Sequence, residues 1–138
     1  MPEFPSAREV AERFLKAAVE GGLADLYTED AVIEIPFAPE GWPDHFVGRE
    51  EHRARFQRSA AVVRHERIED VTIHETADPD VVILEFVMHS VLLDTSRPVE
   101  RSFIMVVRVR DGLIAHSRDY SDPVATAELA DAVRARRA

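Results

Sequence analysis

The stretch Asp111-Gly112-Leu113-Ile114-Ala115-His116-Ser117-Arg118-Asp119-Tyr120-Ser121-Asp122-Pro123 carries three structural signals in succession. Asp-Gly between two β-rich runs predicts a hairpin, because both residues accept the positive φ of a tight primed turn. Leu113 to Ser121 then reads as a strand. Its alternation puts Ala115, Ser117, Asp119 and Ser121 on one face, and His116, Arg118 and Tyr120 on the other. Asp122-Pro123 places an N-cap before a first-turn proline, so a C-terminal helix follows. Arg134, Arg136 and Arg137 suit the negative end of that helix.

Working outward, Val99 to Arg110 is the strand that enters the hairpin. Before it come the turn Asp94 to Pro98, the strand Val81 to Leu93, the turn Ala77-Asp78-Pro79-Asp80 and the strand Glu66 to Thr76. Arg49 to about Val63 reads as a helix, with His52, Phe56, Ser59 or Ala60, and Val63 on one face. Residues 36–48 hold three prolines, two glycines and Trp42, and read as a loop. Ala31 to Ile35 is β-branched and loosely alternating, a strand that Pro36 ends. Ser6 and Glu9 form a capping box, Gly21-Gly22 supplies the stop, and Val10, Phe14, Ala17 or Ala18 mark one helical stripe between them. A short second helix is expected over Leu23 to Tyr27. The order α-α-β-α-β-β-β-β-α indicates an α+β domain with an antiparallel meander, not a parallel α/β sheet.

The 138 residues fit one domain with one core, spanning 1–138. Apolar residues make up 46% of the chain, enough to fold around a real core. The longest apolar runs, such as Phe103 to Val107, are too short to span a bilayer. Nothing at Met-Pro-Glu-Phe-Pro-Ser resembles a signal peptide, so a cytoplasmic protein is expected. With no cysteine, disulfides and thiolate chemistry are excluded. The net charge of −9 argues against nucleic acid and anionic membrane surfaces as partners. Sixteen of the seventeen basic residues are arginine, Lys16 being the exception. His65-Glu66 and His74-Glu75 lack the second histidine of a zinc helix. No phosphate loop, dinucleotide fingerprint or nucleophile elbow occurs, so neither metal nor cofactor is expected.

Two segments give the chain a family likeness. Leu26-Tyr27-Thr28-Glu29-Asp30-Ala31-Val32-Ile33-Glu34, followed by a loop and Gly48-Arg49-Glu50, resembles the opening of the nuclear transport factor 2-like superfamily. The Asp111 to Pro123 segment resembles the ending of its SnoaL-like and PhzA/B-like members. The resemblance implies a cone: a curved antiparallel or mixed sheet closed by helices around a pocket. It also implies that the face of Ala115, Ser117, Asp119 and Ser121 looks into the cone. Ketosteroid isomerases in this superfamily place polar catalytic groups where this chain has Phe14, Ile35 and about Met105. Limonene-epoxide-hydrolase-like members keep a counterpart of Asp119 but have polar groups at the positions of Phe86 and Met88.

Asp119 is therefore the leading candidate for a catalytic acid or base. A carboxyl in an apolar pocket has its pKa raised by desolvation, which fits it for proton exchange near neutrality. A salt bridge to an arginine is the competing reading. His52, on the helix face of Phe56, is the candidate partner in an acid–base dyad, against a plain histidine near a helix start. Trp42, His45 and Phe46 lie in a loop placed to cover a pocket mouth. Phe14, Tyr27, Ile33, Ile35, Phe56, Phe86, Met88, Phe103, Met105 and Ser117 are the candidate lining of a site for a small hydrophobic molecule, or else simply fill the core. Ile104 and Val106 alternate with Phe103, Met105 and Val107, so that strand is apolar on both faces and a homodimer through the sheet is expected. Two functions remain: a cofactor-independent acid–base enzyme (isomerase, cyclase or epoxide-opening), and a non-catalytic binding or scaffold protein.

Overall fold

In a computed structural model, described here for residues 3–137, six strands form one sheet in the order β2-β1-β6-β5-β4-β3. The elements are α1 (Ala7–Glu20), a 3-10 turn (Leu23–Leu26), β1 (Tyr27–Glu34), β2 (His45–Val47), α2 (Arg49–Ala60), β3 (Val63–Glu75), β4 (Val81–Leu92), β5 (Pro98–Arg110), β6 (Leu113–Ser121) and α3 (Pro123–Arg137). All neighbours are antiparallel except β1 and β6, which run parallel. The α+β reading holds, with a mixed sheet.

The punctuation acts where the sequence puts it. Ser6 Oγ accepts the Glu9 N–H at 3.1 Å and caps α1. Asp122 Oδ1 accepts the Val124 N–H at 3.0 Å and opens α3. Asp111 and Gly112 adopt φ of 51° and 77° between the paired Arg110 and Leu113, the mark of a primed two-residue turn. Gly112 is required for a second reason: a Cβ there would lie 2.8 Å from Pro5 Cδ, so the N-terminal segment packs directly on the hairpin.

Three boundaries differ from the sequence reading. Tyr27 is the first residue of β1, not the end of a helix. The loop 36–48 contains β2, which pairs Val47, Phe46 and His45 with Val32, Ile33 and Glu34. The second long helix ends at Ala60, and Val63 already belongs to β3.

Curvature comes from the ladder irregularities. Register shifts interrupt β3–β4 between His65 and Arg67 and between Glu69 and Thr72, with Asp70 at φ 55° inside the second. Such bulges bend a strand and raise its twist. The concave face carries Val82, Leu84, Phe86, Met88 and Ser90 of β4 and Val99, Met105, Val107 and Val109 of β5, all buried. α1 packs Val10, Ala11 and Phe14 against this face. Burying each large apolar side chain there stabilises the fold by about 1.5–3 kcal/mol. The core fills one end of the cone and leaves the other end open. Among the described residues, no helix is long and apolar enough to cross a membrane.

Candidate active site

The open end is a cavity of about 470 Å³. The sheet contributes Phe86, Met88, Arg101, Phe103, Met105, Asp119 and Ser121. Phe14 and Ala18 of α1, and Arg55, Phe56, Arg58 and Ser59 of α2, line it from the helix side. Trp42 and Phe46 come from the segment after β1, and Leu129, Ala130 and Arg134 of α3 complete the wall. Inward positions alternate along β5, so Arg101, Phe103 and Met105 share the concave face. Register places Met105 opposite Asp119, Phe103 opposite Ser121 and Phe86, and Arg101 opposite Met88. Phe86 and Phe103 stack at 5.0 Å.

Asp119 faces this apolar wall. Burial pushes its carboxyl up to about 6, and the nearby Ser117 hydroxyl, Arg55 and His116 only partly offset that. Ser117 approaches without forming a hydrogen bond of good geometry, and both its Oγ and Asp119 Oδ1 lack a partner among the described residues. No salt bridge involves Asp119 among the described residues. Tyr27 is buried, and desolvation followed by the Asp119 charge holds its phenol well above the usual range, so it remains a donor. Arg55 interacts electrostatically with both. Asp119, Tyr27 and Arg55 thus form the polar cluster of the cavity.

The structure brings Asp119, Phe14, Tyr27, Ile35, Trp42, Phe56, Phe86, Met88, Phe103 and Met105 together around one space. Three expected members lie elsewhere. Ile33 points into the packed core, and Ser117 is fully buried behind the wall. His52 is the larger correction. It is fully buried against Tyr27 and donates Nε2–H to the Ala31 carbonyl at 2.8 Å. A carbonyl only accepts, so the proton sits on Nε2. Ala31 O also receives the Gly48 N–H at 2.8 Å. That carbonyl lies where the β1–β6 register shifts, between Tyr27 and Val32. His52 therefore ties the start of α2 to an irregular stretch of β1, and desolvation lowers its pKa. It is not on the cavity wall.

The sequence reading also missed the charge on that wall. Arg55 stacks its guanidinium over Phe46 at 4.5 Å and Phe56 at 5.1 Å. Arg101 lies over Phe103 at 4.8 Å. Neither takes part in an ion pair among the described residues, and the Nε of each is buried without a partner. Desolvation, then repulsion from Arg55, lowers Arg101 to about 10. His65 is on the same wall, with Nδ1 2.7 Å from Ser90 Oγ. Desolvation and Arg101 push it down to about 4, so it is neutral at pH 7. The available signals were Arg101 in the inward phase of β5 and Arg55 three residues after His52 on the same helical stripe.

Among the described residues, no group of three or more histidines and carboxylates is placed to hold a metal ion.

Residues 7–117 match the SnoaL-like domain family. An uncharacterized PhzA/B-like protein of Pseudomonas aeruginosa is 35% identical over 136 residues, covering 94% of each chain. A Bacillus subtilis structure provisionally named an isomerase superposes with a TM-score of 0.82 at 29% identity, covering 91% of this chain and 93% of that one. A provisionally named polyketide cyclase of Pseudomonas putida shares the fold, with a TM-score of 0.77 at 18% identity and coverage of 91% and 98%. By family match, sequence relative and curved-sheet architecture together, the chain belongs to the SnoaL-like domain family of the nuclear transport factor 2-like superfamily.

Proposed function

We propose that the protein is an acid–base enzyme acting on a small, largely hydrophobic metabolite, with Asp119 as the proton carrier. The observation behind this reading is the Asp119 carboxyl on an apolar cavity wall, raised to about 6 by burial. Near neutrality such a group is mostly ionised, yet basic enough to take a proton and return it. In an isomerisation or cyclisation it would remove a proton from carbon beside a carbonyl. The electron pair would move onto the carbonyl oxygen. Tyr27 O–H, within the field of Asp119, is suited to stabilise the oxyanion. The proton would then return to a different carbon, or the carbanion would attack a second carbonyl. The names of the B. subtilis and P. putida neighbours point to the same kind of chemistry.

A non-catalytic binding protein is the second reading. It is favoured by His52, which is engaged with Ala31 and leaves Asp119 without a histidine to orient it. Solvent deuterium uptake separates the two. Cyclic ketones incubated with the protein in D2O should gain deuterium beside the carbonyl with wild type and not with Asp119→Asn. Equal uptake by the two proteins sinks the assigned role.

A homodimer in the cytoplasm is part of the same reading. Ile104 is 46% exposed on the convex face and pairs laterally with Glu85 and Tyr120. Val106 and Ile83 lie beside it in the ladder, half-buried. A second copy laid on this face would cover an apolar strip that a monomer leaves wet.

A further inference from the structure

We infer that the ligand of this cavity is an anion, a hydrophobic molecule bearing a carboxylate that Arg101 and Arg55 receive. The inference builds on the reading of the cavity as a metabolite site and adds the charge of that metabolite.

Four of the chain's sixteen arginines (Arg55, Arg58, Arg101 and Arg134) line a cavity whose wall, among the described residues, has a single carboxylate, Asp119. The protein as a whole carries −9, so this local excess of positive charge runs against the composition. Among the described residues only Arg134 of the four takes part in an ion pair. Arg58 is exposed, whereas Arg55, which lies in the field of Asp119, and Arg101 each bury their Nε. Ten of the fourteen ion pairs among the described residues involve arginine; they use Arg8, Arg49, Arg53, Arg64, Arg67, Arg97, Arg108, Arg110 and Arg134, and leave out Arg55 and Arg101. Both are held in place by stacking on aromatic rings, Arg101 on Phe103 and Arg55 between Phe46 and Phe56. Each keeps a buried Nε without an acceptor among the described residues. The principal charge near Arg101 is a second arginine.

Unpaired, mutually repelling guanidiniums in a desolvated wall destabilise a fold. Their arrangement has a physical rationale if an acceptor with planar, bidentate geometry enters between them. A carboxylate fits that geometry. The neutral His65 on the same wall offers a further polar contact; burial first, and the Arg101 charge second, keep it neutral.

The sheet also sets the ligand's length. Asp119 lies opposite Met105, and Arg101 is four residues along β5 on the same face. At roughly 3.3 Å per residue, the proton-transfer end and the anion end are about 13 Å apart at the backbone. The long Arg101 side chain shortens that gap at its tip. A ring or short chain with a carboxylate at one end would span it, with the aromatic pair Phe86–Phe103 between.

Trp42, the only tryptophan, lines the cavity and gives a fluorescence readout of binding without turnover. The probes are cyclohexanecarboxylate and phenylacetate, each beside its neutral amide, titrated into the full-length protein at pH 7. Each carboxylate should bind at least about tenfold more tightly than its amide, the scale of a charge-assisted hydrogen-bond pair. Arg101→Met should remove most of that preference while leaving amide binding within about threefold. Arg108→Met, which removes an exposed arginine paired with Asp78, should leave the preference intact. Arg101→Gln is a second variant should the methionine disturb the wall. Equal affinities, a preference for the amides, no carboxylate binding up to 10 mM, or a preference that survives both Arg101 variants would overturn the inference. A wild type with no carboxylate preference, its deuterium uptake still dependent on Asp119, sinks the anion alone. Carboxylate binding with uptake indifferent to Asp119 sinks the acid–base reading alone.

Discussion

Replacing Asp119 with asparagine should flatten one specific part of the protein's stability–pH profile. The wild-type carboxyl has a folded pKa of about 6 against 3.8 for the free side chain. Between those values the folded state holds a proton that the unfolded state has released. Stability from this group is therefore fully present below about pH 3.8 and is lost as the pH rises through 6. Two pKa units and a little more correspond to ~3 kcal/mol in total, of which ~2.5 kcal/mol falls between pH 4 and pH 7. Asparagine has nearly the same shape and cannot ionise, so the variant lacks this loss. The assay is urea unfolding of both proteins at half-unit steps from pH 4 to 7. The wild-type minus variant difference should shift by about 2–3 kcal/mol against the wild type as the pH rises. Taking the difference cancels every other titrating group to first order, including His65, whose slope is opposite. Parallel curves would refute the reasoning, because they would mean that Asp119 ionises as freely in the fold as in the open chain.

His65→Gln should act in the reverse sense. The folded pKa of His65 is depressed to about 4, so the wild type loses stability as the pH falls from 6.5 towards 4 and the variant escapes that loss of about 2–3 kcal/mol, read by the same unfolding series. Phe86→Ala removes the ring stacked on Phe103 and should cost about 3–5 kcal/mol by denaturant unfolding at pH 7. Gly112→Ala combines a φ of 77° with a Cβ 2.8 Å from Pro5 and should cost at least about 1–3 kcal/mol, with the Phe4–Pro5 segment displaced in amide chemical shifts. Ile104→Asp should convert a dimeric mass to that of one chain in light scattering, and a wild type already monomeric at micromolar concentration contradicts the proposed dimer.

The features that could be read from the sequence are those set by local chemistry. Ser6, Gly21, Asp111-Gly112 and Asp122 each satisfy or permit a particular backbone group, so their meaning does not depend on distant contacts. The alternation of β6 fixed the phase of Asp119 for the same reason. β2 was illegible because three residues cannot establish a period, and it exists only because β1 offers an edge. His52 and Arg55 shared one helical stripe in the sequence. Which of them meets the cavity depends on how α2 is rolled against β1, and the Ala31 carbonyl set that roll by capturing His52. Arg101 interrupted the apolar inward phase of β5, but a lone arginine near a strand end reads equally well as a solvated edge. Its burial follows from closure by α3, which places Thr126, Leu129, Ala130 and Arg134 over that end of the cone.

The central claim is that Asp119 is a desolvated acid poised near neutrality on the wall of an apolar cavity. Carbon-detected NMR of the Asp119 side-chain carboxyl, assigned by its absence in Asp119→Asn, measures this directly. The account predicts that this carboxyl titrates with a midpoint near 6. A midpoint at or below 3.8 would contradict it, and would make Asp119 the salt-bridged surface acid that the sequence alone left open.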